Sequence, residues 1–259
     1  MTLFLIAIFA CSPCSRKSIK RPGHATKIST PLCRSPTDST KQIITYMGNK
    51  RKFINILDEI INTIEKKMKK KLNIGEGFSG SGVLSRLFKK RAKNLYVNDI
   101  AGYSNTLNKC YLTSLTDKEK NILRKHISNA NICADDDSYS YEPWISKHWC
   151  VNNNNNRMYY TKENGIRIDK YRNYIENMDK KYKHFLLAQL LVKCSIHNNT
   201  NGQFSAYYKD EKKERGMYGG KKSIDLKRIK GKIQPIMPIL TNHYANVNIS
   251  QNDVLDWID

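Results

Sequence analysis

Residues 76–82, Glu-Gly-Phe-Ser-Gly-Ser-Gly, put a carboxylate, an aromatic ring and two closely spaced glycines on one short stretch. Glycine lets the backbone take positive φ or come close to a ligand, so a turn of this kind between a strand and a helix suits a nucleotide-like cofactor. The spacing departs from the GxGxxG of a dinucleotide site, and no Lys-Ser/Thr follows as in a phosphate loop. A plain strand-to-helix turn would use the same residues. Asp99 follows the glycines by about twenty residues, the usual step from a cofactor turn to the end of the next strand. There its carboxylate could accept bonds from the two hydroxyls of a ribose, or cap a helix N-terminus.

The elements that must position these groups follow from periodicity. Phe53, Leu57, Ile60, Ile61, Ile64 and Met68 recur at helical spacing, and lysines over 66–71 crowd the far end, where the helix dipole favours cations. The pattern predicts a strand over 72–77, a helix over 83–90 and a second strand over 94–97 ending at Asn98 and Asp99. Strand, glycine turn, helix and strand begin an open α/β sheet, whose ligands sit at the carboxyl ends of the strands. Residues 103–132 read as further helix, 135–164 as an aromatic-rich loop holding five consecutive asparagines, and 169–196 as helix again. The polar stretch 197–223 mixes amides, tyrosines and lysines. Amides can bond base edges, lysines neutralise phosphates and aromatics stack on unpaired bases; a solvated basic loop has the same composition. No internal repeat is visible.

Lysine plus arginine outnumber aspartate plus glutamate by 45 to 23, a net charge of +22. That sign attracts phosphate backbones and makes nucleic acid the expected partner, although the Asn, Lys and Ile bias of an AT-rich genome would supply part of it. The seven cysteines, Cys11, Cys14, Cys33, Cys110, Cys133, Cys150 and Cys194, are odd in number and scattered, as expected of reduced thiols in a cytoplasmic protein. Cys11 and Cys14 have CxxC spacing without a second pair or a nearby histidine pair, so no metal is expected. The apolar run 3–10 is too short to span a bilayer and no basic residue precedes it, although a targeting role stays open. Residues 11–41 show no period. Residues 1–41 are therefore expected to form a disordered or targeting tail outside the fold, and no membrane partner is expected.

Together these pieces resemble the DNA adenine N6-methyltransferases, in the branch whose motifs begin with a Tyr-x-Gly-x-Lys box. Here that box is Tyr46-Met47-Gly48-Asn49-Lys50, just before the first helix, and the glycine turn corresponds to the family's Phe-x-Gly-x-Gly motif preceded by the acid Glu76. The resemblance spans roughly residues 44–259 and implies a Rossmann-like α/β core that binds S-adenosylmethionine. It implies that Tyr46 packs on the cofactor beside Gly48, and that Lys50 reaches the cofactor's carboxylate. Phe78, Gly80 and Gly82 would pass close to its amino acid moiety next to Glu76, and Asp99 would hold the ribose. Segments 159–176 and 185–210 resemble target-recognition segments, which makes Asn164, Arg167, His197, Asn198, Asn199, Phe204, Tyr208 and Lys209 candidates for contact with double-stranded DNA.

The departure concerns the chemistry. Family members transfer the methyl group with an Asp-Pro-Pro-Tyr motif, whose acid and main-chain carbonyl hold the adenine amino group while the tyrosine stacks on the flipped base; no such sequence occurs here. Residues 245–259 resemble the strand and acidic turn just before that motif, with Asp253 placed near the cofactor's adenine. No catalytic residue is therefore assigned. The expected organisation is a cofactor-binding part over 42–134, a mostly helical target-recognition insertion over 135–240, and a return to the core over 241–259, leaving the core incomplete at its C-terminus. Three explanations stand open: a fragment or interrupted gene, a second polypeptide carrying the Asp-Pro-Pro-Tyr half, or a protein that kept only binding. The rival functions are a non-catalytic basic DNA-binding protein and an RNA methyltransferase.

Overall fold

The structure, a computed structural model, describes residues 4–7, 43–44, 50–152, 156–201, 206–210, 215–220, 223–240 and 245–258. A four-stranded, wholly parallel sheet runs in the order β1 (Phe4–Ala7), β2 (Asn73–Glu76), β3 (Asn94–Asn98), β4 (Asn246–Ser250). One 3-10 turn, Lys50–Phe53, leads into α1 (Ile54–Met68), and α2 (Val83–Arg91) crosses from β2 to β3. β1 pairs with β2 from Phe4 opposite Asn73 to Ala7 opposite Glu76. This corrects the expectation that residues 1–41 lie wholly outside the fold. An unpaired parallel edge presents a row of free N–H and C=O groups, and the short apolar run satisfies them on β2.

β2 and β3 are short and largely buried, as parallel strands covered by helices must be, whereas β4 is only partly buried. Ile74, Leu95 and Val97 form one core with Leu57 and Ile61 of α1 and with Val83, Leu84, Leu87 and Phe88 of α2. α1 buries Leu57 and Ile61, whereas Phe53 and Ile60 of the expected apolar face stay 43% exposed. At the amino ends of the strands an amide ladder joins three of them: Asn94 Nδ2 donates to Asn73 Oδ1 at 2.7 Å and Asn246 Nδ2 to Asn94 Oδ1 at 3.0 Å.

The helix expected over 103–132 is two helices, α3 (Gly102–Leu112) and α4 (Asp117–Asp135). A capping box starts the second: Thr116 Oγ1 accepts from Glu119 N at 3.3 Å and Glu119 Oε2 accepts from Thr116 N at 2.7 Å. The helix expected over 169–196 is likewise split into α6 (Lys162–Asn177) and α7 (Lys180–Ile196), because the Asp179 side chain caps the latter by accepting from Lys181 N at 2.9 Å. Short helices α5 (Ile145–His148), α8 (Leu226–Ile229) and α9 (Val254–Ile258) complete the set among the described residues.

The second core belongs to these helices. Leu123, Ile127, Ala130 and Ala134 of α4 pack with Ile168, Tyr171 and Ile175 of α6 and with Phe185, Leu186 and Leu190 of α7. α4, placed by the sequence in the cofactor-binding part, thus packs with the helical lobe. α3 is common to both bodies: Leu107 and Cys110 enter the lobe core and Leu112 the sheet core.

Candidate functional site

The glycine turn lies at the carboxyl end of β2, beside the end of β3. Gly80 and Gly82 take φ of 53° and 70°, which L-residues with side chains adopt at a cost of about 1–2 kcal/mol each. Gly82 N donates to Ser79 O at 2.9 Å and Ser79 N to Asn98 O at 3.1 Å, which ties the turn to the end of β3. α3 holds it from the other side. Ser104 Oγ donates to Gly80 O at 2.6 Å, and Asn108 Nδ2 donates to Ser79 Oγ at 2.8 Å. A Cβ at position 82 would stand 2.5 Å from Asn108 Oδ1, so contact as well as backbone conformation demands glycine there. Asn98 extends the network to the turn after β4, donating to Asn252 O and accepting from Asn252 N, each at 3.0 Å. Ser79, Asn98, Ser104 and Asn108 are all buried. Serine and asparagine at these positions carry no local sign of a partner across the fold.

Beneath the turn sits Glu76, fully buried. Ser85 Oγ donates to its Oε2, while Lys50 Nζ stands 3.5 Å from Oε1 and donates to Phe78 O. At 3.5 Å the lysine is an ion-pair neighbour rather than a good hydrogen-bond donor, so Oε1 has no hydrogen-bond donor. Burial pushes the Glu76 carboxyl up to about 7, against the opposing pull of Lys50 and Ser85. Lys50 and Glu76 are thereby brought together at the turn.

Asp99 occupies the end of β3 and accepts from two main-chain donors, Gly80 N at 2.6 Å and Ala101 N at 2.9 Å. It therefore ties the glycine turn to the loop that leads into α3, while each carboxylate oxygen keeps a further lone pair for a hydroxyl. Asp253 lies just after β4, exposed, and accepts from Leu255 N at 2.9 Å. Tyr46 and Gly48 fall outside the described residues.

The expected DNA-contact residues are mostly inside the lobe. Asn164 donates to Ile229 O and Gly231 O and accepts from Ile233 N. Arg167 donates to Ile233 O at 2.8 Å, Ala134 O at 3.2 Å and the Tyr171 hydroxyl at 3.0 Å, and pairs with Asp135. Asn199 donates to Met158 O and Met217 O and accepts from Gly219 N. Asn198, also buried, accepts from Thr200 Oγ1 at 2.9 Å. His197 Nδ1 contacts Arg228 O at 2.7 Å, and the Tyr208 hydroxyl donates to Asp225 at 2.6 Å. The expectation of a polar contact surface is corrected for Asn164, Arg167, Asn198 and Asn199: a buried amide or guanidinium must bond something, and here the lobe's own main chain supplies most of the partners. Lys209 is exposed, and Phe204 falls outside the described residues.

On the lobe surface Trp144, Trp149, Tyr159 and Tyr207 form a line, with successive ring centroids 6.4, 5.0 and 5.1 Å apart. Cations lie over three of the rings, Arg172 on Trp144, Arg157 on Trp149 and Lys209 on Tyr207, at 5.4–5.8 Å. Asp169 fixes the start of this line by accepting from Ile145 N and Ser146 N. Nothing local in the aromatics of 135–164 signals their meeting with Tyr207.

Comparison with known proteins places this geometry. Residues 46–247 match the D12 class N6 adenine-specific DNA methyltransferases. The chain belongs to that family. It is 30% identical over 175 residues to the Type II methyltransferase M.NlaIII of Neisseria lactamica, a span covering 65% of this chain and 50% of that protein. It is 42% identical over 62 residues to the Type II methyltransferase M.CviAII of Paramecium bursaria Chlorella virus 1, covering 22% of this chain and 19% of that one. The matched region thus spans half or less of these relatives. No solved structure matches. Among the described residues, no helix is long and apolar enough to cross a membrane and no group of His, Cys, Asp or Glu could hold a metal ion.

Two substitutions test these assignments. Gly82→Ala is expected to lower stability by roughly 2 kcal/mol in thermal unfolding, and the increment it causes is expected to be smaller when measured in an Asn108→Ala background, which removes the contacting oxygen. Arg167→Met is expected to cost roughly 3 kcal/mol by stranding buried carbonyls; an unchanged melting temperature with weakened DNA binding would return Arg167 to the DNA surface.

Proposed function

We propose that this chain is the cofactor-binding and target-recognition part of an adenine-specific DNA methyltransferase with S-adenosylmethionine as methyl donor. The observation that carries the reading is the buried Glu76 carboxylate paired with Lys50 under a left-handed glycine turn at the carboxyl ends of a parallel sheet, in a chain of this family. The donor set fits such a ligand. Its carboxylate needs a cation, which Lys50 offers, and its ammonium needs an acceptor, which Glu76 Oε1 offers, being buried without a hydrogen-bond donor. Asp99 retains acceptor capacity for a ribose diol, and Asp253 sits beyond β4 for the adenine side. When bound, S-adenosylmethionine supplies an electrophilic methyl group.

The chain's own residues then position. Gly80 and Gly82 admit the backbone to close contact, and Ser104 and Asn108 hold that backbone in place. On the lobe, the line from Trp144 to Tyr207 with Arg172, Arg157 and Lys209 offers ring faces and cations to a nucleic acid. In this reading Asn164, Arg167, His197, Asn198, Asn199 and Tyr208 shape the lobe that presents them. The sequence holds no Asp-Pro-Pro-Tyr, so the groups that grip the target adenine are assigned to residues outside these 259, in the same or a second polypeptide. An intracellular restriction-modification setting accords with the Type II names of both relatives.

Calorimetric titration with S-adenosylmethionine tests the reading: the chain should bind, and Lys50→Ala should weaken binding at least tenfold (~1.4 kcal/mol). Absence of binding would remove the cofactor assignment, and transfer of labelled methyl to mixed-sequence duplex DNA by this chain alone would remove the assignment of the adenine-gripping groups elsewhere. The pH dependence is also fixed in sign. A carboxyl raised to about 7 must lose its proton to receive a cation, so affinity should rise as pH rises from about 5 to 7, by up to about tenfold per unit, and level off above. Glu76→Gln should abolish that slope.

A further inference from the structure

A parallel sheet with helices running back along it has two chemically distinct ends. The cofactor turn is at the carboxyl ends of the strands. At the amino ends, α1 and α2 both terminate, and the chain re-enters β2, β3 and β4 at Asn73, Asn94 and Asn246. Six lysines gather there: Lys66, Lys67, Lys69, Lys70, Lys71 and Lys93, all exposed. None has an acidic partner within 4 Å among the described residues. The acids nearby, Asp58 and Glu65, are engaged by Arg91 at 3.2 and 3.9 Å. The cluster is concave: Lys66, Lys70, Lys71 and Lys90, together with Glu65 and Arg91, line a hollow of about 340 Å³ between the ends of the two helices. Lys89 does not contribute, being buried and donating to Ser114 Oγ at 3.1 Å.

Helix-dipole pairing accounts for cations in the last turn of a helix only. Lys66 and Lys67 fall in the last turn of α1, but Lys70, Lys71 and Lys93 lie beyond it, and Lys69 takes the left-handed position, φ 48°, that glycine usually fills. We infer that this end of the sheet is a second, sequence-independent contact surface for the phosphate backbone of duplex DNA, separate from the recognition lobe. The inference rests on DNA as the molecule acted on. α2, nine residues long, sets the separation from the cofactor turn at about 13 Å along its axis. Phosphates held here would add affinity and on-rate without adding base specificity.

The test compares the full chain with two variants of equal charge loss. One is Lys66→Gln/Lys70→Gln/Lys71→Gln. The other is Lys118→Gln/Lys125→Gln/Lys180→Gln, three exposed lysines at the starts of α4 and α7 and along α4. Binding to a mixed-sequence 30-base-pair duplex is followed across salt concentration, with S-adenosylmethionine binding measured in parallel as a check on the turn. The first variant should lose about tenfold or more in DNA affinity at moderate salt and about 2–3 in the slope of log K against log salt, at roughly 0.9 per phosphate contact; the second should stay within about twofold. Equal losses in both variants would mean that overall charge is responsible and would overturn the inference, as would no loss in the first. A chain that binds no duplex DNA at any salt would instead overturn the reading of DNA as the molecule acted on, and the surface with it.

Discussion

The site depends on a buried hydrogen-bond network between α3 and the glycine turn. Two left-handed glycines are a liability in an isolated peptide, because glycine loses more backbone freedom on folding than any other residue. What keeps the turn in one shape is Ser104 on Gly80 O, Asn108 on Ser79 Oγ, and Asp99 on Gly80 N. These groups lie in low-dielectric surroundings, where a satisfied network rigidifies and a broken one is costly. Because the opposite side of α3 carries Leu107 and Cys110 into the lobe core, and Tyr111 accepts from Gln189 of α7 at 2.8 Å, the helix that shapes the turn is also the one that seats the lobe. The turn and the lobe are therefore packed on one element.

Charge at the site follows the same economy of partners. Glu76 is buried with one oxygen bonded by Ser85 and the other facing Lys50 at a distance too long for a strong bond. A buried carboxylate in that position is held near its neutral form, and a buried charge pair of imperfect geometry is weak support for a fold. It makes better sense as capacity held for a ligand that brings its own opposite charges. The sheet core, by contrast, asks nothing of these residues: Ile74, Leu95, Val97 and Phe88 close it without them.

Local signals in the sequence carried the sheet half well. The glycine turn, α1, α2, β2 and β3 were all readable within a residue or three, since each rests on contiguous periodicity or on a turn whose residues are adjacent. The break between α3 and α4 was missed although Thr116 and Glu119 spell a capping box, a signal that helical periodicity on both sides overrode. The lobe was far less readable. Asn164 bonds to residues 65–69 positions away and Arg167 to residues 32–66 positions away. An asparagine destined for a buried loop and one destined for a base edge look alike in composition. Amides and a guanidinium near a basic, tyrosine-rich stretch therefore read as a contact surface, while the structure uses Asn164 and Arg167 to fasten α6 to residues 229–233. The surface line from Trp144 to Tyr207 was unreadable for the complementary reason: its members are spread over more than sixty positions and meet only once Asn199 has drawn residues 158, 208 and 217 together.

Backbone polarity then explains how one small sheet can present two unlike faces. With every strand parallel and α1 and α2 running back against them, α2 begins at the turn and both helices end beside the amino ends of the strands. Free N–H groups and partial positive charge gather at the first end, free C=O groups and partial negative charge at the second. The side chains oppose these dipoles at each end: Glu76, Asp99 and Asp253 stand at the carboxyl ends, and the lysines around 66–71 with Lys93 at the amino ends. Complementing the dipoles takes only a charge or two at each end. At the carboxyl ends that number is nearly met, and Glu76 is further tempered by burial and by Lys50. At the amino ends the lysines exceed it severalfold with no acid within 4 Å of them among the described residues, so the excess charge is directed at something outside the fold.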